Sequence, residues 1–191
     1  MRGDVRSMKW RKLDNWFPEI PEHTHAALPT YFEGEVYFSP RTAYRGFSVI
    51  YKAELNLKTL TLGKPRPVLR EGKPGAFDDS GAMVSCIVPT AEGLSMYYIG
   101  WNQGIRVPFR NSIGLAYYRS GHWIKAPGPV LDRSVYDPYF VASCWVLPGK
   151  PMQMWYLSCD VRGWAPVAHD SAGLARIRQG HESRESMSIS S

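Results

Sequence analysis

Two stretches of this chain, 58 residues apart, repeat one another. The first reads Phe77-Asp78-Asp79-Ser80-Gly81, then Ser85-Cys86-Ile87-Val88, then Met96-Tyr97-Tyr98-Ile99-Gly100. The second reads Tyr136-Asp137-Pro138-Tyr139-Phe140, then Ser143-Cys144-Trp145-Val146, then Met154-Trp155-Tyr156-Leu157-Ser158. A constant offset sets Asp79 against Asp137, Ser85-Cys86 against Ser143-Cys144, and Tyr97-Tyr98 against Trp155-Tyr156. A period of this length built from short β-type runs is the signature of a propeller blade, a small sheet that buries its faces on copies of itself. A third copy precedes these two. Tyr37 lies 60 residues before Tyr97, and Pro67-Val68-Leu69 lies 62 before Pro129-Val130-Leu131. The chain therefore reads as one all-β domain over 1–191, with units at about 13–70, 71–132 and 133–191.

The local signals agree with strands. Runs such as Glu35–Ser39, Phe47–Ala53, Ala82–Pro89, Leu94–Gly100 and Ser112–Arg119 are rich in β-branched and aromatic residues. The 17 Gly and 15 Pro are spread between them, as many turns require. Pro18, Pro21 and Pro29 exclude a helix over 16–30, and no long amphipathic helix is visible elsewhere. The third unit ends differently. After Gly163-Trp164-Ala165-Pro166 the chain turns polar and finishes in serines. A propeller closes with about four blades or more. Three units predict a truncated propeller whose exposed edge strands carry a risk of self-association.

Charge and cysteine usage narrow the function classes. The net charge of +6 comes from basic residues scattered singly, which argues against a nucleic-acid partner. No apolar run reaches membrane-spanning length, so no membrane partner is expected. Cys86, Cys144 and Cys159 form no CxxC pair and no metal-ligand spacing. Cys86 and Cys144 fit small core residues. The N-terminus shows no apolar signal-peptide region, which suggests a cytoplasmic protein with reduced thiols. No phosphate loop, dinucleotide fingerprint or metal motif is present, so neither a cofactor nor a metal is expected.

Several runs, taken in order, carry a resemblance. They are His25-Ala26-Ala27-Leu28-Pro29-Thr30, Val36–Arg41, Gly75–Gly81, Tyr97–Asn102, Val107–Ala116, Gly128–Arg133, Asp137–Ser143 and Met154–Ser158. Over residues 8 to about 166 the chain resembles the glycosidase-related five-bladed β-propellers, the group around glycoside hydrolase families 32, 43 and 130. The resemblance implies a five-bladed fold of which about three blades are present. It also implies a carbohydrate substrate, and hydrolysis or phosphorolysis of glycosyl bonds.

Such chemistry needs two carboxyl groups flanking the scissile oxygen, roughly 6.5–9.5 Å apart for inversion and about 5 Å for retention. Asp79 and Asp137, at matching repeat positions, are the candidates, with Asp78 beside them. Neighbouring strand residues face opposite ways, so one of Asp78 and Asp79 can face an axial funnel, and the repeat offset favours Asp79. Turn capping is the alternative role for each aspartate. The 60-residue offset that separates Tyr37 from Tyr97 carries Asp79 to Glu19 in the first unit, with Glu22 nearby. Four residues are candidates for substrate contact. Arg110 can bond two oxygens at once, His25 can meet hydroxyls or phosphate, Trp101 can stack on a sugar ring, and Asn102 can bond a hydroxyl. A surface arginine, a structural histidine and a core tryptophan are the plain alternatives. Three readings stay open: a glycoside hydrolase or phosphorylase, a non-catalytic glycan-binding propeller, and an inactive fragment.

Overall fold

The computed structural model describes residues 20, 23–43, 46–91, 93–104, 107–159 and 175–181, with side chains apart from those of 24–27, 159 and 175–181. Twelve strands and no helix occur among the described residues. β1 (His23–Phe32), β2 (Glu35–Thr42), β3 (Ile50–Asn56), β4 (Thr61–Leu62) and β5 (Arg66–Leu69) make the first sheet, in which β3 pairs with both β4 and β5. β6 (Gly81–Thr90), β7 (Gly93–Gln103), β8 (Phe109–Arg119) and β9 (His122–Lys125) make the second. β10 (Phe140–Leu147), β11 (Gln153–Cys159) and β12 (Ala175–His181) make the third. All strand pairing is antiparallel and between neighbours in sequence, except that β3 also pairs with β5.

The middle sheet is covered on both faces, which explains its unbroken apolar runs. Ser95 to Trp101 are all buried. Tyr98 and Met96 join Tyr37, Ile50 and Leu69 of the first sheet in one core. Tyr97, Ile113 and Leu115 join Val141, Cys144 and Val146 of the third in another. Burying one such side chain contributes about 1.5–3 kcal/mol. The third sheet alternates instead. In β10, Cys144 and Val146 are buried while Ser143, Trp145 and Leu147 are exposed, the pattern of a sheet covered on one face.

Backbone bonds stitch the first two sheets together. Ser48 and Gly81 form a parallel bridge. Ser48 N–H donates to Ser80 O at 3.2 Å and Ala82 N–H to Ser48 O at 2.9 Å. Val84 N–H donates to Ser39 Oγ at 3.0 Å, and Thr30 Oγ1 to Ser85 O at 3.2 Å. β1, β4 and β9 go beyond the sequence expectation. β1 contains Pro29, which sits at a register shift between Ala27 and Thr30, a place where proline is tolerated in a sheet. β9 follows directly on the Ser120-Gly121 turn. Conversely, Gly128–Leu131 forms no strand, only a bridge from Leu131 to Ile113.

Candidate functional site

Asp78 is 2% exposed and ends the loop that leads into β6. Its Oδ2 accepts from Tyr98 Oη at 3.1 Å and from Lys125 Nζ at 2.5 Å. Lys125 reaches in from the outermost strand, β9, and its ammonium lies 5.5 Å from the Tyr98 ring centroid. Two glycines make room. A Cβ on Gly114 would fall 2.3 Å from Tyr98 Cζ, and one on Gly100 would fall 2.2 Å from Phe77 Cε2 and 2.7 Å from Asp78 Cβ. Burial, with the Asp78 charge adding to it, pushes the Tyr98 phenol well above its ordinary value.

Asp137 is 3% exposed and ends the loop leading into β10. Its Oδ2 accepts from Tyr156 Oη at 3.3 Å and Ser134 Oγ at 3.2 Å, and its Oδ1 accepts from Ser158 Oγ. Tyr98 and Tyr156 are repeat equivalents, and each holds the aspartate before the first strand of its sheet. The residue that does in the second sheet what Asp137 does in the third is therefore Asp78. The offset of 58 that set Asp79 against Asp137 is corrected here. The phenol spans 20 residues to Asp78 but 19 to Asp137, so the loops differ by one residue.

Asp79 is half-buried and holds a turn. Its Oδ2 accepts Gly75 N–H at 2.9 Å and its Oδ1 accepts Ser80 Oγ at 3.1 Å. Ser80 Oγ in turn accepts Gln103 N–H at 3.2 Å, which ties the turn to the end of β7. The same end carries three other expected site residues. Asn102 and Arg110 are direct cross-strand partners, so their side chains leave one face of the sheet as neighbours. Trp101 is 6% exposed, and its Nε1–H donates to Ser48 Oγ at 3.2 Å. The Arg41 guanidinium lies 4.9 Å from its ring centroid. Trp101 is thus a core residue already capped by a cation. This contact brings in Arg41, which the sequence marks only as the end of a strand motif. Among the described residues, neither Arg41 nor Arg110 has a carboxylate partner.

The side chain of His25 lies outside the described residues, as do Glu19 and Glu22. Cys86 and Cys144 are buried, as their repeat positions suggest. Their thiols hydrogen-bond each other, which lowers the Cys86 pKa, while that bond and burial raise Cys144. Sequence reasoning missed one feature entirely, a cavity of about 370 Å³ to which all three sheets contribute. Its walls include Leu28, Thr30, Ser85, Ser143, Trp145 and Trp155.

The described residues thus form an all-β stack of antiparallel sheets, and comparison with known proteins agrees at that level. No family model matches the chain. It is 33% identical to two uncharacterized proteins of Mycobacterium tuberculosis, Rv1502 and MT1551, in alignments taking in 92% of this chain. The chain spans 62% of the length of these relatives. Its fold is like that of the β-1,2-mannobiose phosphorylase from Listeria innocua, solved with β-1,2-mannobiose. The TM-score is 0.51 at 20% identity, covering 72% of this chain and 41% of that one.

Proposed function

We propose that the three sheets are consecutive blades of a five-bladed, glycosidase-type propeller, and that the protein is carbohydrate-active. The observation that carries this reading is the rim at the end of β7. There the turn held by Asp79, the Asn102–Arg110 pair and the Arg41–Trp101 contact lie at one end of the second sheet, and among the described residues neither guanidinium has a carboxylate partner. An arginine fork beside an amide matches the paired hydroxyls of a saccharide. The fold likeness to a phosphorylase that holds β-1,2-mannobiose supports the same class of ligand.

The share of the described residues in this activity is recognition of the sugar. Two opposed carboxyl groups are needed to split a glycosidic bond. Asp78 is engaged by Lys125 and Tyr98, and Asp137 by three hydroxyls, both below the surface. Of the three aspartates, Asp79 alone stands partly open at the rim, and it is the acid–base candidate. Titration calorimetry with β-1,2-mannobiose tests the reading. Arg110→Ala and Asn102→Ala are each expected to weaken binding about 10-fold, the loss of about one charged or bidentate hydrogen bond. Unchanged affinity in both would overturn it. A release assay with and without phosphate then tests Asp79. Turnover that survives in Asp79→Asn would remove it from the chemistry.

A further inference from the structure

Cys86 and Cys144 hold the same position in consecutive repeats and share one core between the second and third sheets. Both are buried, at 1% and 4% exposed. Each stands at a break in the ladder of its strand. β6 shifts register between Val84 and Cys86. β10 shifts between Ala142 and Trp145, with Ser143 at φ 38 just before Cys144. Bulges re-aim the side chains beside them and collect near functional sites.

A buried free cysteine is commonly an inert filler of small size. This pair differs in three respects. The two thiols hydrogen-bond each other across the seam between the sheets. The Cys86 sulfur also receives the backbone N–H of Val146, so its anion has two donors. The Cys144 thiol and that N–H hold Cys86 below its ordinary pKa against the opposing effect of burial, and a thiol so favoured as its anion is the nucleophilic one. Lastly, Ser85 and Cys144 border the cavity of about 370 Å³. Among the described residues Ser85 Oγ makes no conventional hydrogen bond. It offers a polar group to a small molecule arriving next to the two sulfurs.

We infer that Cys86 and Cys144 are an oxidation site, converted by hydrogen peroxide entering the cavity into a disulfide that ties β6 to β10. Cys86 attacks as its thiolate. Its sulfur bonds one peroxide oxygen, the O–O bond breaks, and the departing hydroxide takes up a proton to become water. Cys144 then gives up its proton and attacks the Cys86 sulfenic acid. The S–S bond forms, the S–O bond breaks, and a second hydroxide leaves and becomes water with that proton. Two electrons pass from the two sulfurs to one peroxide. A dithiol reverses the change by exchange and is itself oxidised to its disulfide. Nothing in this step depends on the carbohydrate reading.

Peptide mapping of the full chain tests it. The reduced protein is treated with hydrogen peroxide, alkylated in denaturant and digested without reduction. The expected product is a Cys86–Cys144 cross-link, with Cys159 recovered as the alkylated free thiol. Closing a loop of 58 residues should lower the unfolded fraction in urea about 100-fold, and dithiothreitol should reverse this. Cys159→Ser should leave the cross-link intact, and Cys86→Ser should abolish it. In Cys144→Ser, dimedone should trap the sulfenic acid on Cys86. Sulfinic acid without a cross-link, pairing through Cys159, or oxidation only after unfolding in urea would each overturn the inference. These three outcomes are read on the unmutated protein, so they decide it even where a variant fails to fold.

Discussion

Asp78 and Asp137 occupy the same station in adjacent sheets, yet their surroundings solve one problem in different ways. Each is a buried carboxylate before a first strand, and each accepts from a tyrosine two strands of sequence later. In the second sheet the charge is matched by an ammonium, 24% exposed, reaching in from the edge strand. In the third, the described partners include hydroxyls of Ser134 and Ser158. The switch follows from one position. Where the third sheet has Ser158, the second has Gly100, because Phe77 and Asp78 fill that space. What the repeat preserves is a buried aspartate bound to a tyrosine. The described groups around that pair differ.

The sharpest way to break the comparison is Lys125→Met. It leaves Asp78 buried without its cation, and stability in urea should fall by about 3–5 kcal/mol. Adding Asp78→Asn to that variant should restore part of the loss. No change would mean that the ion pair is not the partner that matters. Gly114→Ala comes next, since its Cβ would meet the Tyr98 ring. Overpacking of this kind costs about 1–3 kcal/mol, and a thermal melt would read it. Ser158→Ala removes one of several hydroxyls from Asp137. We expect about 1–3 kcal/mol, less than for Lys125→Met, and an equal loss would erase the distinction between the sites.

The smallest expected effect is on the pH dependence. The Tyr98 phenol is held protonated in the fold, above its ordinary pKa of about 10. Above pH 10 the unfolded chain ionises first, so its stabilising contribution is whole below that pH and declines as pH rises. Tyr98→Phe should flatten the alkaline fall of the melting temperature. Tyr37, shifted in the same direction by burial and Glu35, keeps part of the slope.

The sequence carried the strands well where burial imposes a pattern. β2, β6, β7, β8 and β11 were legible because apolar and aromatic residues run through them. β1 was not, since Pro29 reads as a breaker unless a bulge accommodates it. β9 is short and follows a turn, leaving no period to detect. At the site, Asn102 and Arg110 were named separately, and only the register shows that they are opposite one another. The matching of Asp79, rather than Asp78, to Asp137 fails for a clear reason. A fixed offset assumes equal loops, whereas a phenol can reach a carboxylate across a loop longer by one residue. Arg41 left no signal of type or spacing, because its role arises from a contact between sheets.

The parallel bridge between Ser48 and Gly81 has a consequence for local opening. The amides of Ala82 and Val84 are bonded to Ser48 O and Ser39 Oγ of the first sheet. They are held by the neighbouring sheet, whereas the amides along β7 and β8, Gln103 and Ile113 apart, are held within their own. Native-state hydrogen exchange separates such layers, because an amide exchanges with the smallest opening that frees it. Ala82 and Val84 therefore clock the parting of the first two sheets, and the amides of β7 and β8 clock the melting of the second sheet itself.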